Sequence, residues 1–259
     1  FPASDFAECG PVVWGHGGLA QQAVQQLFER VSAPGQWRPD FLPAHEAVQQ
    51  ALSVAAQHSA PVVIADTQDN PGAGGDSNTT GMLHALLAQG AGKHWPGQVA
   101  LGLLYDPEAA RKAHEAGVGA TLELALGKAV PTFTGQSSDA PLQGRFVVRA
   151  LGEDLCEIKG PMMTGVKVHI GPCACLELDG VLIAVASGKM QMLDRELFRS
   201  VGIQPEQMKV LVVKSSNHFR ADFTPIASRV LVAKAAGPMA ADPGDLPWKK
   251  LDPTTRTRP

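Results

Sequence analysis

The sequence has few aromatic residues, little net charge and no long hydrophobic run. Phe, Trp and Tyr together make up 5% of its 259 residues, which is too few for a surface that stacks on nucleic-acid bases. The net charge is −3, from 22 Lys and Arg against 25 Asp and Glu, and no long basic run is present. We therefore expect neither a nucleic acid nor an anionic membrane surface as a partner held by bulk charge.

Signals for membrane insertion and secretion are also missing from the pattern. The longest apolar runs, such as Val181–Ala186, fall far short of the ~18 residues that a membrane helix needs. No basic segment followed by an apolar one indicates a signal peptide. The four cysteines, at positions 9, 156, 173 and 175, lack the C-x-x-C spacing of zinc and redox sites. They favour reduced, buried thiols in a cytoplasmic protein.

The composition that remains is typical of a globular protein rich in turns. Apolar residues are 44% of the chain and charged residues 18%, and there are 27 Gly and 20 Pro. Residues 1–40 resemble the tail of a preceding domain that this sequence does not include, with a short strand at Pro11–Trp14, a helix over Gly17–Val31 and a Pro- and Gly-containing linker over Ser32–Asp40. Residues 41–259 then form a second domain.

Strands and helices alternate in this second domain, which predicts a mainly parallel sheet flanked by helices. Between about residues 145 and 190 the pattern changes to an antiparallel, β-rich insertion, with a two-residue hairpin turn at Asp179-Gly180. The fold class is therefore α/β. The predicted helices are 43–57, 79–89, 106–117 and 194–200, with one more near the C-terminus; the predicted strands are 61–66, 99–105, 146–150, 165–170, 173–178, 181–186 and 209–213, with a last one ending at 233.

A polar, glycine-rich loop follows the first buried strand, over Asp66–Asn78. Ligands of open α/β sheets bind beyond the carboxyl ends of strands, and glycines let the backbone approach a ligand closely. No nucleotide-binding fingerprint is present in the loop. The same residues also fit a turn followed by a helix cap. The candidate substrate-binding residues here are Asp69, Asn70, Gly74, Gly75, Asp76 and Ser77.

A second polar loop, Lys214–Arg220, follows another apolar strand. Lys214 or Arg220 fits a clamp for a substrate carboxylate, and His218 is the candidate catalytic group. Ser215 and Ser216 complete the candidate substrate-binding set. A purely structural role, in turns and caps, is the alternative. Because both loops follow apolar strands in a βα pattern, we expect them to share one crevice.

The sequence offers no set of metal ligands and little support for a serine nucleophile. H-E-x-x-H and comparable zinc motifs are missing. A triad of Ser77 or Ser215 with His218 and Asp69 lacks the G-x-S-x-G elbow.

An ordered series of segments from Pro61 onward resembles the C-terminal domain of the MlrC family, the microcystinase-C-like metallopeptidases named for degradation of linearised microcystin. The resemblance rests on the glycine-rich run Val62–Ser77 and on Val212–Ala221, with shorter matches between them. The shorter matches are Asp106–Glu108, Gly117–Gly119, Gly160–Met162, Gly171-Pro172, Gln191 with Asp194, Glu196–Arg199 and Gly202-Ile203.

The resemblance implies a zinc-dependent hydrolase acting on peptides or related amides. It also implies that the zinc ligands lie in an N-terminal domain upstream of Phe1, so that this chain alone is inactive and binds no stoichiometric zinc. Backbone N–H groups near Gly74–Asn78 together with His218 would then contact the reacting amide. Two alternatives stay open: a stand-alone module that binds a small carboxylate, and a self-contained hydrolase that uses Asp69, Asp76 and His218 around its own metal.

Overall fold

The computed structural model describes residues 4–33 and 40–258, which divide into two compact units. The smaller unit contains the described residues up to Asp40 together with those from Ala240 onward, and the larger unit is Phe41–Met239. The structure thus groups the C-terminal segment with the N-terminal one, although they lie far apart in sequence. The assignment of residues 1–40 to a preceding domain stays a prediction.

The smaller unit contains helix α1 (Ala20–Ser32), which has no buried residue. The Asp5 carboxylate accepts hydrogen bonds from three consecutive backbone N–H groups, Lys249 to Leu251, at 3.0, 2.8 and 3.1 Å. The predicted strand at Pro11–Trp14 is wrong, because no other segment among the described residues pairs with it. Most of the predicted linker, residues 34–39, lies outside the described residues.

The larger unit is built on one nine-stranded sheet. Its strands, and those of a separate two-stranded sheet, are β1 (Phe41–Pro43), β2 (Val62–Asp66), β3 (Val99–Tyr105), β4 (Thr121–Leu126), β5 (Leu142–Gly152), β6 (Leu155–Glu157), β7 (Lys167–His169), β8 (Cys173–Leu178), β9 (Val181–Ala186), β10 (Val210–Val213) and β11 (Arg229–Lys234). The order in the main sheet is β1-β11-β2-β10-β3-β9-β8-β5-β4. The strands from β1 to β9 in this order are parallel, and the last three pairs are antiparallel.

Helices cover both faces of this sheet. They are α2 (Ala44–Ala55), α3 (Gly81–Ala88), α4 (Ala91–His94), α5 (Pro107–Ala116), α6 (Glu196–Arg199) and α7 (Arg220–Phe223). Successive residues of β2 alternate between two cores: Val62 and Ile64 pack with α2, α3 and α5, whereas Val63 and Ala65 pack with α6 and α7. A strand buried on both faces has a continuous apolar sequence, which is why β2 lacks polar alternation.

The α/β class is confirmed, and most of the antiparallel, β-rich region predicted around residues 145–190 belongs to the main sheet. Strands β5, β8 and β9 continue that sheet, because β9 pairs in parallel with β3. Only β6 and β7 form a sheet of their own. The sequence analysis also missed β4, in which exposed residues alternate with half-buried and buried ones, so that no continuous buried apolar run marks the strand.

Helix α5 begins and ends where the sequence predicts. The Asp106 side chain accepts a hydrogen bond from the N–H of Ala109 at 3.0 Å, and Pro107 occupies the first turn. Gly117 ends the helix with φ +82°. Within the described part of the chain, no helix is both long and apolar enough to cross a membrane.

Candidate functional site

The two polar loops lie side by side at one edge of the sheet. Strands β2 and β10 are parallel neighbours, with Ala65 paired to Val213 just before each loop begins. The Asn70 amide in the first loop donates to the Ser216 hydroxyl in the second at 2.9 Å. The two loops therefore lie together as expected, because parallel neighbours bring their carboxyl ends to the same edge of the sheet. We refer to this shared edge, where both loops leave the sheet, as the crevice.

A fully buried lysine joins the two loops beneath the crevice. The side chain of Lys214 is 0% exposed. Its ammonium nitrogen lies 2.8 Å from one carboxylate oxygen of Asp66 and 2.8 Å from one of Asp69. It also donates to the Thr79 hydroxyl at 3.3 Å. This ammonium has no surface left for a substrate carboxylate, so the predicted clamp role stays with Arg220 alone.

Asp69 organises the end of the first loop. One of its oxygens accepts the N–H of Ser77 at 2.8 Å, and the other accepts the N–H and hydroxyl of Thr79 at 2.7 and 2.9 Å. Ser77 has φ +58°, and its hydroxyl donates to the Leu103 carbonyl at 2.6 Å. Asp69 and Ser77, predicted as substrate contacts, are here buried parts of the framework that shapes the loop.

The electrostatics of this network follow from burial and pairing. Burial is the largest influence on Asp69 and favours its neutral form, but the charge of Lys214 and the hydrogen bonds from Lys214 and Thr79 outweigh it and lower the pKa of Asp69. Burial raises the pKa of Asp66, against the opposing pull of Lys214. The Lys214 pKa is raised, because its two carboxylates outweigh the burial of the ammonium. The second oxygen of Asp66 is buried without a hydrogen-bond partner among the described residues.

Most backbone N–H groups of the glycine-rich stretch are used inside the loop. Those of Gly74 and Gly75 donate to the carbonyls of Pro71 and Asn70 at 3.3 and 3.0 Å. The Ser77 N–H is taken by Asp69. Among the described residues, the N–H groups of Asp76 and Asn78 have no intramolecular acceptor. If the loop supplies backbone donors to a ligand, these two N–H groups are the candidates.

Charged side chains stand at the rim of the crevice. The Asp76 carboxylate forms a short ion pair with Lys189, whose ammonium also lies 5.2 Å from the centre of the Tyr105 ring. Arg220 is exposed, and its guanidinium lies 5.4 Å from the centre of the Phe219 ring. Arg220 is thus a cation of the second loop that a ligand can reach.

The sequence analysis missed a role for Gln191. Its side-chain N–H donates to the buried Ser215 hydroxyl at 2.7 Å, and its carbonyl oxygen lies 3.2 Å from Nδ1 of His218. Ser215 is therefore buried and fixes one end of the Gln191 amide, whereas His218 is exposed and contacts the other end. The only signal in the sequence was that Gln191 belongs to the segments resembling the MlrC family.

The described residues do not fit a zinc site. Among them, no group of three or more His, Cys, Asp or Glu side chains is placed to hold a metal ion. Asp66 and Asp69 already surround a cation, the Lys214 ammonium. The suggested metal set of Asp69, Asp76 and His218 is not assembled, because Asp69 is committed to the buried network and Asp76 to Lys189.

A mainly parallel sheet with polar loops at the carboxyl ends of adjacent strands places the larger unit among the open α/β domains. Residues 64–250 match the family model described as MlrC C-terminus, and the chain therefore belongs to the MlrC family. This confirms the resemblance seen in the sequence.

Two relatives show how much of a longer protein the chain resembles. It is 28% identical over 171 residues to Microcystinase C from Sphingomonas sp., which covers 66% of this chain and 31% of that protein. It is also similar to a crystal structure described as a "putative metallopeptidase" from Mesorhizobium sp. BNC1, with a TM-score of 0.71 and 26% identity. That match covers 92% of this chain and 45% of the other, so the chain spans less than half the length of either relative.

Proposed function

We propose that the chain is the C-terminal portion of a zinc-dependent metallopeptidase or amidohydrolase and contributes substrate-recognition loops to its active site. Membership of the MlrC family is the observation that supports this most directly. The names of the two relatives, a microcystinase and a metallopeptidase, give the reaction class. Peptides or related small amides, linearised microcystin among them, are the proposed substrates.

In this proposal the zinc ligands lie in an N-terminal domain outside this sequence, and this chain alone is inactive. The share of the relatives that the chain covers leaves room for such a domain. The described residues fit a metal site poorly, which supports placing the zinc ligands in the N-terminal domain and the substrate-recognition loops in this chain. We further propose a cytoplasmic location, which the three buried, unpaired thiols Cys156, Cys173 and Cys175 support.

The crevice supplies two kinds of contact in this proposal. His218 and the free N–H group of Asp76 contact the reacting amide, and the exposed Arg220 holds a substrate carboxylate. Lys214, Asp66 and Asp69 brace the loops beneath them. Bracing residues keep the contacts in place, and small displacements of such contacts are costly to catalysis.

The proposal is tested on a full-length protein that contains this chain. Elemental analysis should find about one zinc per full-length molecule after dialysis, the usual complement of a mononuclear catalytic site, and hydrolysis of linear peptides should depend on it. The 259-residue chain alone should bind no stoichiometric zinc and hydrolyse nothing. Stoichiometric zinc in the chain alone would favour the self-contained hydrolase. Binding of small carboxylates without hydrolysis by the full-length protein would favour the binding module.

Two substitutions separate the proposed contacts. His218→Ala should lower kcat by about 10²-fold or more, the range of a lost proton-transfer or polar contact to the reacting group. Arg220→Ala should mainly raise KM, because a carboxylate clamp acts equally in the ground and transition states. Arg229→Ala, at an exposed arginine of β11, is the matched control. If all three variants keep wild-type kinetics and melting temperature, the loops are not part of the active site.

A further inference from the structure

His218, Gln191 and Ser215 form a short chain of hydrogen bonds, here called the relay, which ends at the buried hydroxyl of Ser215. The Gln191 amide donates to Ser215 Oγ at 2.7 Å, and the Gln191 carbonyl oxygen lies 3.2 Å from His218 Nδ1. Ser215 is fully buried, and Gln191 is 8% exposed. The buried Ser215 therefore fixes the Gln191 amide, and the oxygen of that amide faces the imidazole of the exposed His218.

The arrangement determines which ring nitrogen bears the proton. An amide oxygen only accepts hydrogen bonds, so with the Gln191 amide in this orientation Nδ1 of His218 donates and bears the hydrogen. In a neutral imidazole the other nitrogen, Nε2, then has a free lone pair. An imidazole free in water favours the opposite form, with the proton on Nε2, so the relay reverses the ordinary preference.

The close approach of Gly72 supports this orientation of the amide. A Cβ atom at Gly72 would lie only 2.4 Å from the Gln191 carbonyl oxygen. The one Cα hydrogen of Gly72 that a Cβ would replace thus points at that oxygen, a contact that suits a carbonyl and not an NH₂ group. The glycine-rich loop and the relay are fitted to each other at this point.

We propose that Gln191 is a positioning residue that holds His218 as the Nδ1–H tautomer and turns an unprotonated Nε2 toward the crevice. His218 is then a hydrogen-bond acceptor for an N–H or O–H group of the ligand. A donor role toward an oxyanion would require the charged imidazolium. The identity of the ligand as a peptide amide rests on the proposed function, whereas the tautomer does not depend on it.

The test reads the tautomer directly by long-range ¹H–¹⁵N correlation on the full 259-residue chain labelled with ¹⁵N-histidine. The spectrum is recorded near pH ~8, where an ordinary imidazole with a pKa of about 6.5 is neutral. The His218 signals are assigned by their loss in His218→Gln. His114 gives an internal reference of the opposite form, because its Nε2 lies 3.0 Å from the carbonyl oxygen of Cys173 and must donate to it.

We expect His218 to be predominantly Nδ1–H in the wild type and predominantly Nε2–H in Gln191→Leu. Gln191→Glu, which keeps an acceptor at this position, should retain the Nδ1–H form. Gly72→Ala should push the flexible end of Gln191 away and shift His218 toward Nε2–H with the relay residues chemically intact, whereas Gly18→Ala, which meets no atom within 4 Å, should change nothing.

Two results would overturn the proposal whatever the enzyme does. One is a wild-type His218 that is mainly Nε2–H. The other is an unchanged tautomer in both Gln191→Leu and Gly72→Ala while their amide spectra still show the native fold. Neither readout needs hydrolysis. The tautomer of His218 can therefore differ from the expected one while the proposed function holds, and the proposed function can fail while the tautomer is as expected.

Discussion

Lys214 illustrates how a buried charge can be both costly and necessary. Its ammonium is removed from water, and its partners among the described residues are Asp66, Asp69 and Thr79. Removing one partner of a buried ion network leaves the others uncompensated, which is far more damaging than losing a surface pair. The two loops that form the crevice thus depend on a residue that no ligand reaches.

Lys214→Met should lower the free energy of unfolding by about 3–5 kcal/mol, because it leaves two buried carboxylates without a counterion. Urea unfolding monitored by circular dichroism measures the change. Lys189→Met is the control, since its ion pair with Asp76 is exposed and should matter little. Equal stability of Lys214→Met and the wild type would show that the buried network does not stabilise the fold.

The lowered pKa of Asp69 predicts a defined pH dependence. A carboxylate whose folded-state pKa lies below its ordinary value of about 3.9 stabilises the fold fully above that pH, and the contribution is lost as the pH falls through the folded-state pKa. Asp69→Asn should therefore be less stable than the wild type at neutral pH, by on the order of 3 kcal/mol for lost charged hydrogen bonds. The difference should narrow only below about pH 4.

The measurement is a series of urea titrations of Asp69→Asn and the wild type from neutral pH into acid. Asp76→Asn, at a half-buried rim position, is the matched control and should follow the wild type throughout. If the difference in unfolding free energy between Asp69→Asn and the wild type stays constant down to the lowest pH, the stabilisation does not come from a charged Asp69 carboxylate.

At the scale of elements, the hairpin between β8 and β9 is held by local geometry and one close contact. Asp179 and Gly180 have φ values of +48° and +80°, as a tight two-residue turn requires. A Cβ at Gly180 would lie 2.3 Å from the carbonyl oxygen of Gly92, at the helix α4 that packs beside the turn. The turn therefore needs glycine both for its backbone angle and for space.

Gly180→Ala should cost about 3 kcal/mol or more, because backbone strain of about 1–2 kcal/mol adds to a clash with main-chain atoms. Gly135→Ala is the matched control: Gly135 has φ +82° but no atom within 4 Å of an added Cβ, so strain alone applies. Thermal and urea unfolding of both variants measure the loss of unfolding free energy. An equal loss in the two variants would mean that the backbone at Gly92 moves aside without cost.

At the scale of the whole molecule, both hydrophobic cores lie inside the larger unit. Their buried residues fall between Ala47 and Ala235, within Phe41–Met239. A unit that contains its own cores and all eleven strands that the structure describes has what independent folding requires.

A fragment of residues 41–239 should therefore unfold in urea in one cooperative transition. Amide spectra of the fragment should match those of the same residues in the full chain. A fragment that is soluble but shows no cooperative transition would mean that residues 1–40 or 240–259 complete its core. The full chain, unfolded under the same conditions, provides the comparison.

The sequence by itself determined the features that depend on near neighbours. The apolar runs of β3, β8 and β9, the Asp179-Gly180 turn, and the start and end of α5 were predicted at the right residues, because strand length, turn geometry and helix caps are set within a few positions. The two polar loops were recognised for the same reason, since each directly follows a short apolar run.

Only the tertiary structure decided what individual residues of those loops do. Lys214 looked like a carboxylate clamp until its contacts with Asp66, 148 positions away in sequence, showed it to be buried. Gln191 had no visible role until Ser215 and His218 lay on either side of it. The antiparallel strands likewise joined the main sheet through the pairing of β9 with β3. Burial, strand order and the partner of a polar group are set by segments distant in sequence, because folding brings those segments together only when the whole sheet and both cores form.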